Sequence, residues 1–276
     1  MQVCSFIIND EGRAAYGLVV TGGVIDASRY LQFVDLKAVL RNDALDELRA
    51  LSEREPDYAL HQIRFLPVIP NPNKILCVGM NYSDKRQEFG ETSAAPTLFI
   101  RFADSLTAHN EEIKKPISSE QFDYEGELAV IIGKPAHQVS PSDALQYVAG
   151  YSCFMDATVR DMQFTWFTAG KNWPATGGFG PWMTTTDEIP DPQQLQLQTF
   201  LNGQQVQQDN TENMVHNIAQ IIAYITRFTP LAPGDVIITG SPGGVGKSRT
   251  PQLFMFPGDE VSVEISQIGR LTHRIG

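Results

Sequence analysis

Beyond residue 74 the apolar content is broken into short runs, at 75–78, 97–100, 128–132, 151–155, 236–239 and 261–265, many of them β-branched and bounded by Gly, Pro or Asp. Runs this short cannot fill the buried face of a helix, and β-branched residues fit a pleated surface, so this part of the chain is expected to be β-rich. The tripeptide Pro-Gly-Asp occurs at 233–235 and again at 257–259, each time before such a run. Pro presets φ for one turn position and Gly accepts the positive φ of the next, so both read as turns feeding strands. One helix stands out at 212–227, where Met214, Ile218, Ile221, Ile222 and Ile225 recur at helical spacing. The class is α+β.

The first residues read differently, with short strands at 5–8 and 15–20 and then a helix through 43–53. Between the two parts lies Pro67-Val-Ile-Pro-Asn-Pro-Asn-Lys74, whose prolines remove backbone donors and hold the chain extended, which suits a linker. The expected organisation is a small N-terminal unit at 1–66 and a larger β-rich domain at 74–276.

A formal net charge of −11 and no cluster of Lys and Arg argue against a nucleic-acid partner, which needs a basic stripe. No stretch approaches the apolar length of a membrane span, and the N-terminus lacks the basic start and long apolar centre of a signal peptide. The expected location is cytoplasmic. Cys4, Cys77 and Cys153 are odd in number and flanked by apolar residues, as reduced core thiols are.

The chemistry concentrates in Asp123-Tyr-Glu-Gly-Glu-Leu-Ala-Val-Ile-Ile-Gly. Residues two apart on a strand share a face, so Glu125 and Glu127 converge on one point at the mouth of a buried run. Asp156, just after the apolar run that begins at Val148, offers a third carboxylate on a neighbouring strand. Three carboxylates without a nearby His or Cys suit a hard ion, Mg²⁺, Mn²⁺ or Ca²⁺. The alternative from spacing alone is a set of solvated acids on a strand edge. The stretch Gly240-Ser-Pro-Gly-Gly-Val-Gly-Lys-Ser fails as a phosphate loop because Ser241 stands where the required Gly would be. Nor is it a nucleophile elbow, which needs Gly two residues before the Ser. The five histidines are scattered, with no pair at metal-ligand spacing.

Several of these segments together resemble one family. Cys77-Val-Gly-Met-Asn-Tyr, the acidic motif at 123–133, the run from Gly150 through Asp156 to Arg160-Asp-Met-Gln163, Gly170-Lys171, Leu201-Asn-Gly-Gln and Pro233-Gly-Asp-Val-Ile-Ile-Thr-Gly-Ser-Pro-Gly-Gly-Val-Gly are similar, in order, to the fumarylacetoacetate hydrolase family. The resemblance implies a roll of mixed β-sheets, a homodimer, and Glu125, Glu127 and Asp156 as ligands of Mg²⁺ or Mn²⁺, with Ca²⁺ as a further possibility. By the same resemblance Lys171 faces the metal site and stabilises negative charge, while Arg160, Gln163 and Thr239 contact substrate. Arg101 stands where members carry a lysine near the pocket.

One position departs from the pattern. Hydrolases of the family carry His and Glu three apart after Asn-Tyr to activate water, and here the pair is Lys85 and Glu88. Lysine is protonated at neutral pH unless strongly desolvated, so Glu88 is left as the expected carboxylate base. The activity implied is C–C hydrolysis of a small acylpyruvate through an enolate. Decarboxylation, isomerisation or hydration of a 2-oxo acid at the same site is the alternative, and a non-catalytic metal-binding protein a second one.

Overall fold

A computed structural model gives the fold and describes residues 1–163 and 166–276. The first half of the chain holds β1 (Gln2–Ile8), β2 (Arg13–Val20), β3 (Gly23–Asp26), α1 (Leu36–Arg41), α2 (Leu45–Arg49), β4 (Ile63–Phe65), β5 (Ile75–Gly79), α3 (Ser83–Phe89), β6 (Thr97–Arg101), β7 (Leu106–Thr107), β8 (Phe122–Asp123) and β9 (Gly126–Ile132). It continues with β10 (Val148–Asp156), β11 (Thr158–Val159), α4 (Phe167–Lys171), β12 (Gly177–Thr185), β13 (Gln196–Leu201), β14 (Gln204–Asn210), α5 (Ile218–Thr226), β15 (Val236–Ile238), β16 (Glu260–Ile265) and β17 (Gly269–Arg274).

The large sheet runs β3-β2-β1-β12-β10-β9-β15-β5-β6, with β4 on β1 and β7 on β12. It is mixed: β15 lies parallel to β5 and antiparallel to β9. A second sheet runs β14-β13-β16-β17. Every residue of β9 and β10 is buried, and their side chains divide between two cores. Leu128, Val130 and Ile132 pack with Leu197, Val263 and Leu271 of the second sheet and with Ile221 and Ile225 of α5. Ala129 and Ile131 point the other way, toward Leu36, Val39 and Leu40 of α1. A strand covered on both faces must be apolar throughout, which is why 128–132 shows no alternation.

Two expectations shift at the level of elements. The helix expected at 212–227 starts only at Ile218, because Asn217 accepts from the Gln220 N–H and the Gln220 side chain accepts from the Asn217 N–H, a capping box that fixes the start. In the N-terminal part, α2 is shorter than the expected 43–53, and α1 precedes it. The division at 66–74 is a division in sequence across which the sheet is continuous. β1 pairs with β12 at Gln2–Thr184 and Val3–Met183, and Val3, Tyr16 and Leu18 share one cluster with Ile75, Cys77 and Ile238.

Candidate active site

The acidic motif is positioned by the β9–β10 pairing. Met155 lies opposite Gly126, and the Asp156 N–H donates to the Glu125 carbonyl at 2.8 Å. Carboxylate oxygens of Glu125, Glu127 and Asp156 come within 4.8 Å of one another. All three are buried, so the solvated-edge alternative does not describe them.

Four cations meet this acidic cluster. Glu125 accepts from Lys85 Nζ at 2.9 Å and Arg160 Nη2 at 2.6 Å through one oxygen, and from Lys171 Nζ at 2.7 Å through the other. Asp156 accepts from Arg101 Nε and from Lys171 Nζ. Arg160 Nε donates to the buried Asp123 at 2.8 Å. Asp123, Glu125, Glu127 and Asp156 thus stand against Lys85, Arg101, Arg160 and Lys171, four acids and four bases, all buried. A buried ionic network adds little net stability over an apolar packing of the same volume, so stability alone is a poor account of this one.

The carboxylates are not equivalent. Burial pushes the Glu125 carboxyl upward, but the charges of Lys171, Lys85 and Arg160 outweigh it and hold the group well below the usual range. Glu127 is held well above that range by burial and by the charges of Asp156 and Glu125. Its one hydrogen bond among the described residues comes from the Gly240 N–H, at 2.6 Å. Gly240 has φ +102°, and a Cβ there would lie 2.7 Å from Asn81 Cβ, so only glycine presents this N–H without strain. A buried carboxylate short of positive charge, beside two others, in an all-oxygen donor set, fits a hard divalent ion. These three residues would hold it.

The lysines also differ. For Lys171, burial favours proton loss, but Asp156 and Glu125 more than offset it and raise the pKa above the usual lysine value. Its ammonium also donates to Thr158 Oγ1 at 2.6 Å. Lys85 has one carboxylate partner and the Ser241 hydroxyl at 3.3 Å. Burial therefore dominates, and its pKa falls below the usual value despite the pull of Glu125.

Lys85, Glu125, Glu127, Arg160, Gln163 and Lys171 line one small cavity of about 20 Å³, which Met80, Phe99, Phe167 and Ser241 help to close. Glu88 is not among them. Asp84 and Glu88 are four apart on α3 and share a face, and that face docks on the Gly-rich loop: Asp84 accepts from the Gly243 N–H at 2.9 Å and Glu88 from the Gly244 N–H at 2.7 Å. Thr239 is also turned away, its hydroxyl donating to the Leu128 carbonyl at 3.0 Å. Arg101 spends its donors on Asp156, Ser105, Thr176 and the Ala157 carbonyl, so it holds Asp156 rather than lining the cavity. Asp123, Thr158 and Ser241 also meet the site's cations, on Arg160, Lys171 and Lys85 respectively, and neither spacing nor the resemblance assigns them there. Asp123 carries a signal, an acid two residues before Glu125 in the same motif, although it ends β8 while Glu125 lies just before β9.

Comparison with known proteins agrees with this architecture. The model for the fumarylacetoacetate hydrolase C-terminal domain matches residues 74–276. The mitochondrial oxaloacetate tautomerase of Rattus norvegicus is 34% identical over 269 residues, covering 93% of this chain and 85% of its own. A fumarylacetoacetate hydrolase from psychrophilic Exiguobacterium antarcticum superposes with a TM-score of 0.86 at 31% identity, covering 100% of this chain and 99% of its own. Maleylpyruvate hydrolase from Sphingobium sp. SYK-6, in complex with manganese(II) and pyruvate, does so with a TM-score of 0.82 at 25% identity, covering 100% and 98%. The chain belongs to the fumarylacetoacetate hydrolase family. Hydrolysis itself, expected from the resemblance, does not follow from membership, since the family matches include a tautomerase. Among the described residues no helix is long and apolar enough to cross a membrane.

Proposed function

We propose that the protein catalyses a proton shift, enol to keto, on a small 2-oxo acid of the oxaloacetate kind. One observation carries the reading: Lys85 Nζ is inside the cavity, on Glu125, while Glu88 is outside it on the Gly244 N–H. Hydrolysis needs a base that takes a proton from water. A tautomerisation needs only one group that exchanges a proton with a substrate carbon and oxygen, and no water enters the balance. Lys85, desolvated and lowered in pKa, is suited to that exchange, because proton transfer is most efficient when the group's pKa approaches the working pH. Lys171 keeps its proton and offsets negative charge that develops on the substrate oxygen. Arg160, fixed by Asp123, orients the substrate carboxylate beside it. A divalent ion on Glu125, Glu127 and Asp156, of the Mg²⁺ or Mn²⁺ type, would supply Lewis-acid polarisation of the oxo group.

The relative from Rattus norvegicus, named as an oxaloacetate tautomerase, supports the reading. C–C hydrolysis of an acylpyruvate remains the second reading, favoured by the likeness to maleylpyruvate hydrolase with pyruvate bound. Purified protein with Mg²⁺ is to be given enol-oxaloacetate and an acylpyruvate in parallel, following enol absorbance and pyruvate release. Accelerated loss of the oxaloacetate enol without acylpyruvate cleavage is the expected result, and rapid cleavage without tautomerisation would reverse it. The homodimer is a further part of the proposal, and sedimentation as a single 30.6 kDa species would contradict it. The three buried free cysteines suit a reducing compartment, cytosol or mitochondrial matrix.

A further inference from the structure

The stretch that fails the phosphate-loop register folds against the mouth of the site. Asp123 accepts from the Gly246 N–H at 2.7 Å through one oxygen, and through the other from the Lys247 N–H at 3.0 Å and from Arg160 Nε at 2.8 Å. One buried carboxylate oxygen therefore ties the Lys247 backbone to the Arg160 guanidinium. Lys247 lines a vestibule of about 430 Å³ together with Met80, Arg160, Gln163 and Phe167. Those last four residues also line the inner cavity, so the two spaces adjoin.

Most charges around the vestibule are already committed. Arg160 is held by Asp123 and Glu125, Asp161 accepts from Ser119 Oγ and the Glu120 N–H, and Glu91 accepts from the Ser93 N–H. Gln163 gives its oxygen to Arg160 Nη1 at 3.3 Å. Among the described residues, neither the Lys247 ammonium nor the Gln163 amide N–H groups have a partner. Lys85 and Lys171 are engaged by Glu125 and Asp156, and Arg160 by Asp123, Glu125 and, in the reading above, the carboxylate next to the oxo group, so a second negative charge on the substrate is met by a cation outside them. We propose that Lys247, with the Gln163 amide lining the same vestibule, binds the distal carboxylate of a dicarboxylic 2-oxo acid and sets the preference for such acids over monocarboxylic ones. The proposal rests on the oxo-acid reading given above and adds the residue that chooses among oxo acids.

The test compares oxaloacetate with 2-oxobutyrate, equal in carbon count and differing in the terminal carboxylate. Exchange of the C3 hydrogens with solvent deuterium is followed by NMR in the presence of Mg²⁺ for wild type, Lys247→Met and Lys247→Arg. In Lys247→Met the ratio of kcat/KM for oxaloacetate to that for 2-oxobutyrate should fall about tenfold, mainly through KM, as for loss of one charge-assisted hydrogen bond. Lys247→Arg should keep the ratio within about twofold, since the charge is retained. An unchanged ratio in Lys247→Met overturns the proposal. If the wild type exchanges neither acid, the oxo-acid reading itself fails. The affinities of malate and 2-hydroxybutyrate by calorimetry then decide Lys247 separately, with the same fall in their ratio expected and an unchanged ratio fatal.

Discussion

Two short helices, α3 and α4, bring a lysine to the same carboxylate from different parts of the chain. Lys171 at the end of α4 meets Glu125 and Asp156, and its pKa rises. Lys85 on α3 meets Glu125 alone, and its pKa falls. Both are buried, so the difference lies in the number of anions each can reach. His273 extends the series to none: it is fully buried, its ring Nδ1 lies 2.9 Å from the Glu111 carbonyl, and burial pushes its pKa down to about 4. A buried base keeps its proton only where anions outweigh the lost hydration, and in this site the second carboxylate tips the balance.

The largest effect is expected at Lys171. Lys171→Met leaves Asp156 and Glu125 each short of a cation and removes the charge aimed at the substrate oxygen, so kcat should fall by roughly 100–1000-fold, equivalent to about 2.7–4 kcal/mol. Steady-state kinetics check it, and a mutant changed only in KM would assign Lys171 to ground-state binding.

Next comes Lys85, where loss of a proton-transferring group should cost about 100-fold or more in kcat. Lys85→Met and Lys85→Arg should be equally poor if the proton matters. The wild-type rate should rise with pH along a limb below the ordinary lysine range, and that limb should vanish in Lys85→Arg. Persistence of the limb would assign it to another group.

His273 should appear in stability instead of rate. Its folded pKa of about 4 lies below the unfolded value of 6.5, so the unfolded chain binds the proton more readily between the two. Its contribution is intact above pH 6.5 and is lost as the pH falls toward 4, amounting to about 3 kcal/mol. Urea midpoints across that window should fall for wild type and fall less for His273→Gln. Equal slopes for the two proteins would place the acid sensitivity elsewhere.

Glu88→Gln is expected to have the smallest effect. The amide oxygen can still accept from the Gly244 N–H, so tautomerisation should stay within about twofold of wild type and stability should drop by about 1 kcal/mol or less. Complete loss of activity in this variant would bring Glu88 into the chemistry and favour the hydrolytic reading.

The sequence shows the acidic cluster because two-residue spacing on a strand and an acid at the next strand's end are local patterns. Glu125, Glu127 and Asp156 needed only the β9–β10 register to meet. What depends on side-chain direction was not legible. The family resemblance pairs Lys85 with Glu88, yet on α3 Lys85 faces the cavity while Glu88 shares a face with Asp84 and takes the Gly-rich loop. Thr239 and Arg101 are pocket residues by the resemblance, but a neighbouring carbonyl and Asp156, respectively, claim their polar groups. The sheet's continuity through β1 and β12 joins residues far apart in sequence, and no short-range pattern encodes such a pairing.

The central claim is that Lys85 carries the proton and does not merely supply charge. Side-by-side rates of enol-oxaloacetate conversion by wild type and Lys85→Arg, with Mg²⁺ and with thermal unfolding matched, test it most directly. Arginine keeps the positive charge but cannot release a proton in water. The account predicts a loss of about 100-fold in Lys85→Arg, and an arginine variant as fast as the wild type would contradict it.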